Sequence, residues 1–188
     1  MNIYDFDKTI FYKDSTPDFY FYCVKKYPAV IKNVPKNVGY WILYKLGLTD
    51  KRTWKSKFYE YITYIPDIGK AVNDYWEINK NLIKPFYKEI QREDDLIISA
   101  SSSFLLKKIG QILGIKNIIA TDVDTNTGRL LSEHCYGEEK VRRFVEAGYK
   151  KEDAEDFYSD SYSDSPLAEI AQRAFIVKGN KILKWGKK

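Results

Sequence analysis

Asp5 and Asp7 stand two residues apart in "IYDFDKTI", directly behind an apolar start, with Thr9 two positions further on. On a strand, residues i and i+2 point to one face, so two like charges would crowd together. A second polar group, Ser99, Ala100, Ser101 and Ser102, closes the apolar run "LIIS" at 96–99. A third, Asp160, Ser161 and Asp164, follows "EDFYS" at 155–159, and "GEEKVRRF" offers Lys140 near a helix start. Carboxylates, hydroxyls and a lysine in this combination suit phosphoryl transfer. A carboxylate that attacks a phosphate monoester faces an anion, and unit charges about 4 Å apart repel by about 4 kcal/mol at an effective dielectric near 20. Magnesium held by carboxylates offsets that repulsion, and its hardness suits an all-oxygen site. A lysine neutralises phosphate oxygens as a point charge. Backbone N–H groups after Ser99, at the start of the following helix, can cradle the remaining oxygens. Taken singly, each group has a plainer reading: a polar turn for Asp5, Asp7 and Thr9, a strand-ending hydroxyl for Ser99, a solvated helix residue for Lys140.

The elements that must bring these residues together are legible in the hydropathy pattern. "LIIS", "NIIAT" (117–121), "EDFYS" and "AFIV" (174–177) read as short buried strands, with "AFIV" the last of them. Helical patterns separate them in "SFLLKKIGQILG", "GEEKVRRFVEAG" (137–148, with Gly148 as C-cap) and "SPLAEIAQR". Strands alternating with helices predict an α/β fold with a Rossmann-like, doubly wound parallel sheet. Ligands bind such sheets outside the carboxyl ends of the strands, which is where all the polar groups fall. The strand at 2–6 must join the later strands, so the segment from 11 to 90 is an insertion between the first two. It reads as helical and aromatic, interrupted by Pro28, Pro35, Pro66 and Pro85, and Ser15 or Thr16 can cap its first helix ahead of Pro17. The expected organisation is a catalytic core of 1–12 plus 91–188 with a helical cap over 13–90. Tyr20, Tyr22, Tyr40, Trp41, Trp54 and Trp76 are expected to form mostly the cap's own core. The other reading is that some rings line the substrate pocket or touch a lipid-like substrate.

A chain of 188 residues can bury one sizeable core, and its 44% apolar and 30% charged composition is that of an ordinary globular protein. The formal charge of +5 suits a small anionic substrate and is too dispersed for nucleic acid. The basic "KGNKILKWGKK" reads as a solvated end. Cys23 and Cys135 have no metal or disulfide spacing, and the N-terminus shows no signal-peptide pattern, so a reducing cytoplasm is the expected location. "VGYWILYKLGL" at 38–48 is too short to span a bilayer and carries Lys45. His134, the only histidine, is expected on the surface or in a loop rather than in catalysis. Oligomeric state is not legible.

With these motifs in order, the sequence resembles the haloacid dehalogenase-like phosphohydrolase superfamily, in particular its phosphoserine phosphatase-like branch. "DFDKTI" matches the first motif, DxDxT, and "LIISAS" the second. Lys140 in "GEEKV" matches the third, and "YSDSYSDSPL" the fourth, which reads roughly GDSxxDxPL. The resemblance implies Asp5 as nucleophile, forming an aspartyl-phosphate, and Asp7 as the acid that protonates the leaving oxygen and then serves as base. It implies a Mg2+ site of Asp5, Asp160 and the backbone carbonyl of Asp7. Ser99 and Lys140 would hold phosphate oxygens beside the backbone of Ala100 and Ser101. Asp164 would orient Lys140 or a metal-bound water, and Thr9 would hold the loop. Three departures stand out. Ser159 replaces the usual glycine, Lys8 fills a position often taken by glycine or serine, and Asp14 stands where phosphoserine phosphatases carry a substrate-binding glutamate. The expected activity is hydrolysis of a small phosphate monoester. Phosphotransfer to an alcohol and a non-catalytic phosphate-binding module remain as alternatives.

Overall fold

The computed structural model describes residues 1–186 of the chain. Its centre is a six-stranded sheet in the order β3-β2-β1-β4-β5-β6. These are β1 (Ile3–Tyr4), β2 (Leu96–Ser102), β3 (Asn117–Thr121), β4 (Asp156–Ser159), β5 (Arg173–Lys178) and β6 (Lys181–Lys184). The first five run parallel, and β6 returns antiparallel to β5. Strand β1 is central, with Ile3 between Leu96 and Phe157 and Tyr4 between Ile97 and Tyr158. Alternation then sends Ile3, Leu96, Ile98 and Phe157 to one face and Tyr4, Ile97 and Tyr158 to the other. Both faces are covered, as the unbroken apolar runs require.

Everything between β1 and β2 is helical: α1 (Ser15–Lys26), α2 (Val34–Lys45), α3 (Lys51–Tyr59), α4 (Ile68–Asn79) and α5 (Pro85–Ile90), with short 3-10 turns between them. The sheet's own helices are α6 (Ser103–Leu113), α7 (Glu138–Glu146) and α8 (Ser165–Ile170). The insert and the sheet share one continuous apolar cluster in which Phe19, Tyr61, Tyr75 and Trp76 join Tyr4, Phe6 and Ile97. Trp76 packs edge-on against Phe6 and Phe11 at 5.9 and 5.2 Å and donates its indole N–H to the Leu105 carbonyl at 2.9 Å. Of the six aromatics expected in a core of the cap, Trp76 is fully buried, whereas Trp41 is exposed.

Three local expectations are corrected. Residues 174–177 are not the last strand: Gly179 and Asn180 form a two-residue turn between the Lys178–Lys181 pair, and "KILK" returns as β6. Gly179 takes the left-handed φ of +61° that such a hairpin turn needs at its first position. Strand β2 continues through Ser102 across an irregularity in its pairing with β3, so Ala100 and Ser101 lie on the strand and α6 begins only at Ser103. Helix α1 takes Asp14, not Ser15 or Thr16, as its N-cap residue, and the side chain that satisfies its first free N–H comes from outside the helix.

Candidate active site

Beyond the carboxyl end of β1 the chain turns sharply, with the N–H groups of Ile10 and Phe11 both bonded to the Phe6 carbonyl at 3.0 Å. Lys8 sits at the tip with φ +58°, the left-handed region that a side chain normally avoids. Several bonds hold it there. Its N–H donates to Lys13 O at 3.2 Å, and its carbonyl accepts from the buried Nζ of Lys84. Its own ammonium pairs with Asp14. Lys84 also donates to Gly179 O at 2.8 Å, so one buried cation ties the Asp5–Thr9 turn to the β5–β6 hairpin.

Asp5 is buried, its N–H bonded to Tyr158 O at 2.9 Å. Lys140 reaches from the first turn of α7 and places Nζ 2.7 Å from Asp5 Oδ1 and 2.8 Å from Asp164 Oδ2. Ser159 donates its hydroxyl to the same Asp164 oxygen at 2.7 Å, which explains why serine serves at this position. Thr9 donates to Asp5 Oδ2 at 3.3 Å and accepts the Asp160 N–H at 2.9 Å, linking the first and fourth strand ends. Burial raises the Asp5 carboxyl to about 7, outweighing the pull of Lys140, and Asp164 and Asp7 add to the rise. Burial works against the Lys140 ammonium, but Asp5 and Asp164 more than restore it, so its pKa ends above the usual lysine value.

Asp7 faces a different set of donors. Its Oδ1 accepts the Ser15 N–H at 2.9 Å, capping α1, and its Oδ2 accepts the Ser101 hydroxyl at 2.6 Å. Ser101 Oγ in turn accepts from Ser15 Oγ at 2.9 Å and lies 3.0 Å from Thr16 Oγ1. Burial raises the Asp7 pKa, and the bonds from Ser101 and Ser15 oppose the rise. Ser99 is buried beside this group, its Oγ accepting the Ser101 N–H at 3.2 Å. The Ser101 N–H is therefore already engaged, and no helix start presents N–H groups at 100–101.

Asp160 is half-buried; burial raises its pKa against Lys178 and Lys8 nearby, and Lys178 also bonds its backbone carbonyl. Asp14 is bound to Lys8, which accounts for two of the sequence departures as one ion pair. His134 lies in the loop before α7, with Nδ1 3.2 Å from Thr121 Oγ1. Burial and the positive charges of Lys55 and Lys51 depress it to about 3. Lys84 and Lys55 of α3 carry no sequence signal for the site, and Ser15 and Thr16, which hold Ser101, carry only that of a helix cap. Lys55 makes no hydrogen bond or ion pair among the described residues. Burial and Lys51 lower it to about 8, with Asp7 pulling the other way. Each depends on a neighbour far away in sequence.

Among the described residues no three His, Cys, Asp or Glu side chains gather to form a metal cage. The donors nevertheless fit Mg2+. This ion is bound through one or two carboxylates and keeps several waters. Asp5 and Asp160 would meet that need: the Thr9 hydroxyl that donates to the Asp5 carboxylate also accepts the Asp160 backbone N–H. Of the four aspartates here only Asp5 and Asp164 touch the buried Lys140, and burial raises the pKa of Asp5, Asp7 and Asp160, so a cation would be favoured beside them.

The sequence model of a family described as haloacid dehalogenase-like hydrolase matches residues 3–169. Among solved structures, a protein of unknown function from Bordetella pertussis Tohama I superposes with a TM-score of 0.74 at 19% identity, covering 93% of this chain and 87% of that one. A phosphoserine phosphohydrolase-like protein from Francisella tularensis subsp. tularensis SCHU S4 gives 0.56 at 19% identity, with 93% and 86% covered. A substrate-bound phosphoserine phosphatase complex gives 0.51 at 15% identity, with 92% and 82% covered. At these identities the likeness is one of fold. No curated protein matches the sequence significantly.

Proposed function

The chain belongs to the haloacid dehalogenase-like hydrolases, and from that premise we propose that it is a magnesium-dependent phosphatase that cleaves a small phosphate monoester through an aspartyl-phosphate. The observation that carries this reading is the separation of two nearby carboxylates into unlike environments. Asp5 lies against Lys140, while Asp7 is held apart by Ser15 and Ser101. In the proposed reaction an Asp5 oxygen attacks phosphorus, the ester P–O bond breaks, and Asp7 gives its proton to the departing oxygen. Water then attacks the same phosphorus, Asp7 takes its proton, and inorganic phosphate leaves with the Asp5 carboxylate restored. Lys140 and Ser99 hold the phosphate oxygens, Asp164 keeps Lys140 aimed, and Thr9 fixes the turn. Mg2+, held by Asp5, Asp160 and the Asp7 carbonyl, supplies the charge that lets an anion approach a carboxylate.

The helices of 13–90 act as the cap that selects the leaving group and excludes water. Asp14 is paired with Lys8 and is a shorter carboxylate than the glutamate that phosphoserine phosphatases carry there, which argues against phosphoserine as the substrate. Two buried, unpaired cysteines fit a reducing, cytoplasmic setting. The test is hydrolysis of an aryl phosphate with Mg2+ and with chelator. Turnover that requires Mg2+ and is lost in Asp5→Asn is expected. Full activity in Asp5→Asn would overturn the nucleophile assignment, and a metal-independent rate would overturn the magnesium requirement.

A further inference from the structure

Helix α2 is built inside out. Its only buried residue is polar, Asn37 at 8% exposed, while Val38, Trp41 and Ile42 stand 49, 46 and 45% exposed on the outer face. The turn that follows adds Leu46 and Leu48 at 66 and 70%. Residues 38, 41, 42 and 46 recur at helical spacing, so they form one apolar stripe, with Asn37, Tyr40 and Tyr44 turned inward. An apolar stripe at helical spacing normally marks the side that meets a core. Here it meets none, and the inward Asn37 amide donates to the Phe58 carbonyl at 3.5 Å while its oxygen has no hydrogen-bond partner among the described residues.

The charge around the stripe says what covers it. From Phe19 to Thr49 the sequence contains five lysines, at 25, 26, 32, 36 and 45, and no aspartate or glutamate. Lys32 precedes α2, Lys36 lies in its first turn and Lys45 ends it. Lys36 pairs with Glu60, while Lys32 and Lys45 have no acidic partner among the described residues. Lys45 Nζ lies 5.8 Å from the Trp41 ring centre, a charged head beside an amphipathic ring. An apolar stripe containing tryptophan and edged by lysines is the pattern of a helix lying in a membrane interface. Juxtamembrane lysines gain further from the negative surface of anionic lipids. No helix among the described residues is long and apolar enough to cross a bilayer, so the contact would be with one leaflet.

We infer that the outer face of α2 and its following turn form a reversible docking surface for an anionic lipid bilayer, placing this end of the helical insert on the membrane. The inference is independent of the catalytic assignment. The test is co-sedimentation of the full chain with phosphatidylcholine vesicles and with phosphatidylcholine–phosphatidylglycerol vesicles. Binding to the mixed vesicles is expected, together with weaker binding to the neutral ones, weakening at high salt and a blue shift of tryptophan emission. Leu46→Glu and the double variant Lys32→Glu/Lys45→Glu should each lower partitioning about tenfold. All these positions are exposed and outside the catalytic groups, so aryl phosphate hydrolysis and the circular dichroism spectrum should not change. No binding to anionic vesicles would overturn the inference, as would unchanged binding by both variants. A concentration-dependent dimer that Leu46→Glu dissociates, without vesicle binding, would instead assign the face to a second copy of the chain.

Discussion

Replacing Asp5 with asparagine should abolish turnover yet stabilise the metal-free protein, and the gain should grow with pH. Burial moves the Asp5 carboxyl from 3.8 to about 7. A folded-state pKa above the unfolded value means that the native protein binds the extra proton between those limits. The stability associated with that proton is full below about pH 4 and is lost as pH rises through 7. The displacement corresponds to about 4 kcal/mol at most, since each pKa unit is worth about 1.4 kcal/mol. Asparagine stands in for the neutral carboxyl and has nothing to ionise. Lys140 does not become an orphan, because Asp164 Oδ2 remains 2.8 Å from its ammonium. Chemical unfolding of both proteins in chelator should therefore give similar stabilities near pH 4.5 and an advantage of about 2–4 kcal/mol for Asp5→Asn near pH 8. A variant less stable than wild type at pH 8 would refute the reasoning. That result would mean that the Lys140–Asp5 pair outweighs desolvation, as in buried pairs whose disruption is costly.

Mg2+ should stabilise wild type in its turn: at a hundredfold excess over its dissociation constant it adds about 2.7 kcal/mol, visible as a rise in melting temperature that Asp160→Asn reduces. Ser101→Ala removes the 2.6 Å donor to Asp7, so the Asp7 pKa should climb further and the alkaline limb of the kcat–pH profile should move to higher pH. The rate itself should fall about tenfold, and an unmoved limb would remove Asp7 from the role of acid. Gly128→Ala would place a Cβ 2.5 Å from Tyr59 O and 2.6 Å from Glu60 N at a φ of +75°. Left-handed strain and overpacking together should cost about 2–4 kcal/mol in equilibrium unfolding, and a neutral result would mean that the insert shifts freely against the 124–130 loop.

Much of the site was legible because its residues sit at strand ends and helix starts, positions that local patterns mark. Asp5, Lys140 and Asp164 meet as their strand and helix positions suggest. Ser101 is less legible: the letters suggest a helix start after Ser99, whereas the irregular end of β2 carries the strand to Ser102 and turns the Ser101 hydroxyl toward Asp7. Lys8 and Asp14 looked like two separate departures and are one ion pair. The β5–β6 hairpin was hidden in a basic segment whose charge suggested solvent, although the Gly179–Asn180 turn was present in the letters.

By itself, the sequence determined the α/β class, the buried parallel strands and the order of the chemistry-bearing residues. Strands covered on both faces must be apolar without interruption, and catalytic groups must lie where those strands end. Only the tertiary structure decided which hydroxyl serves which carboxylate, that Lys84 is buried against the Lys8 and Gly179 carbonyls, and that α2 turns its apolar side outward. A helical period says that a helix has two unlike sides; which side meets the core depends on partners distant in sequence.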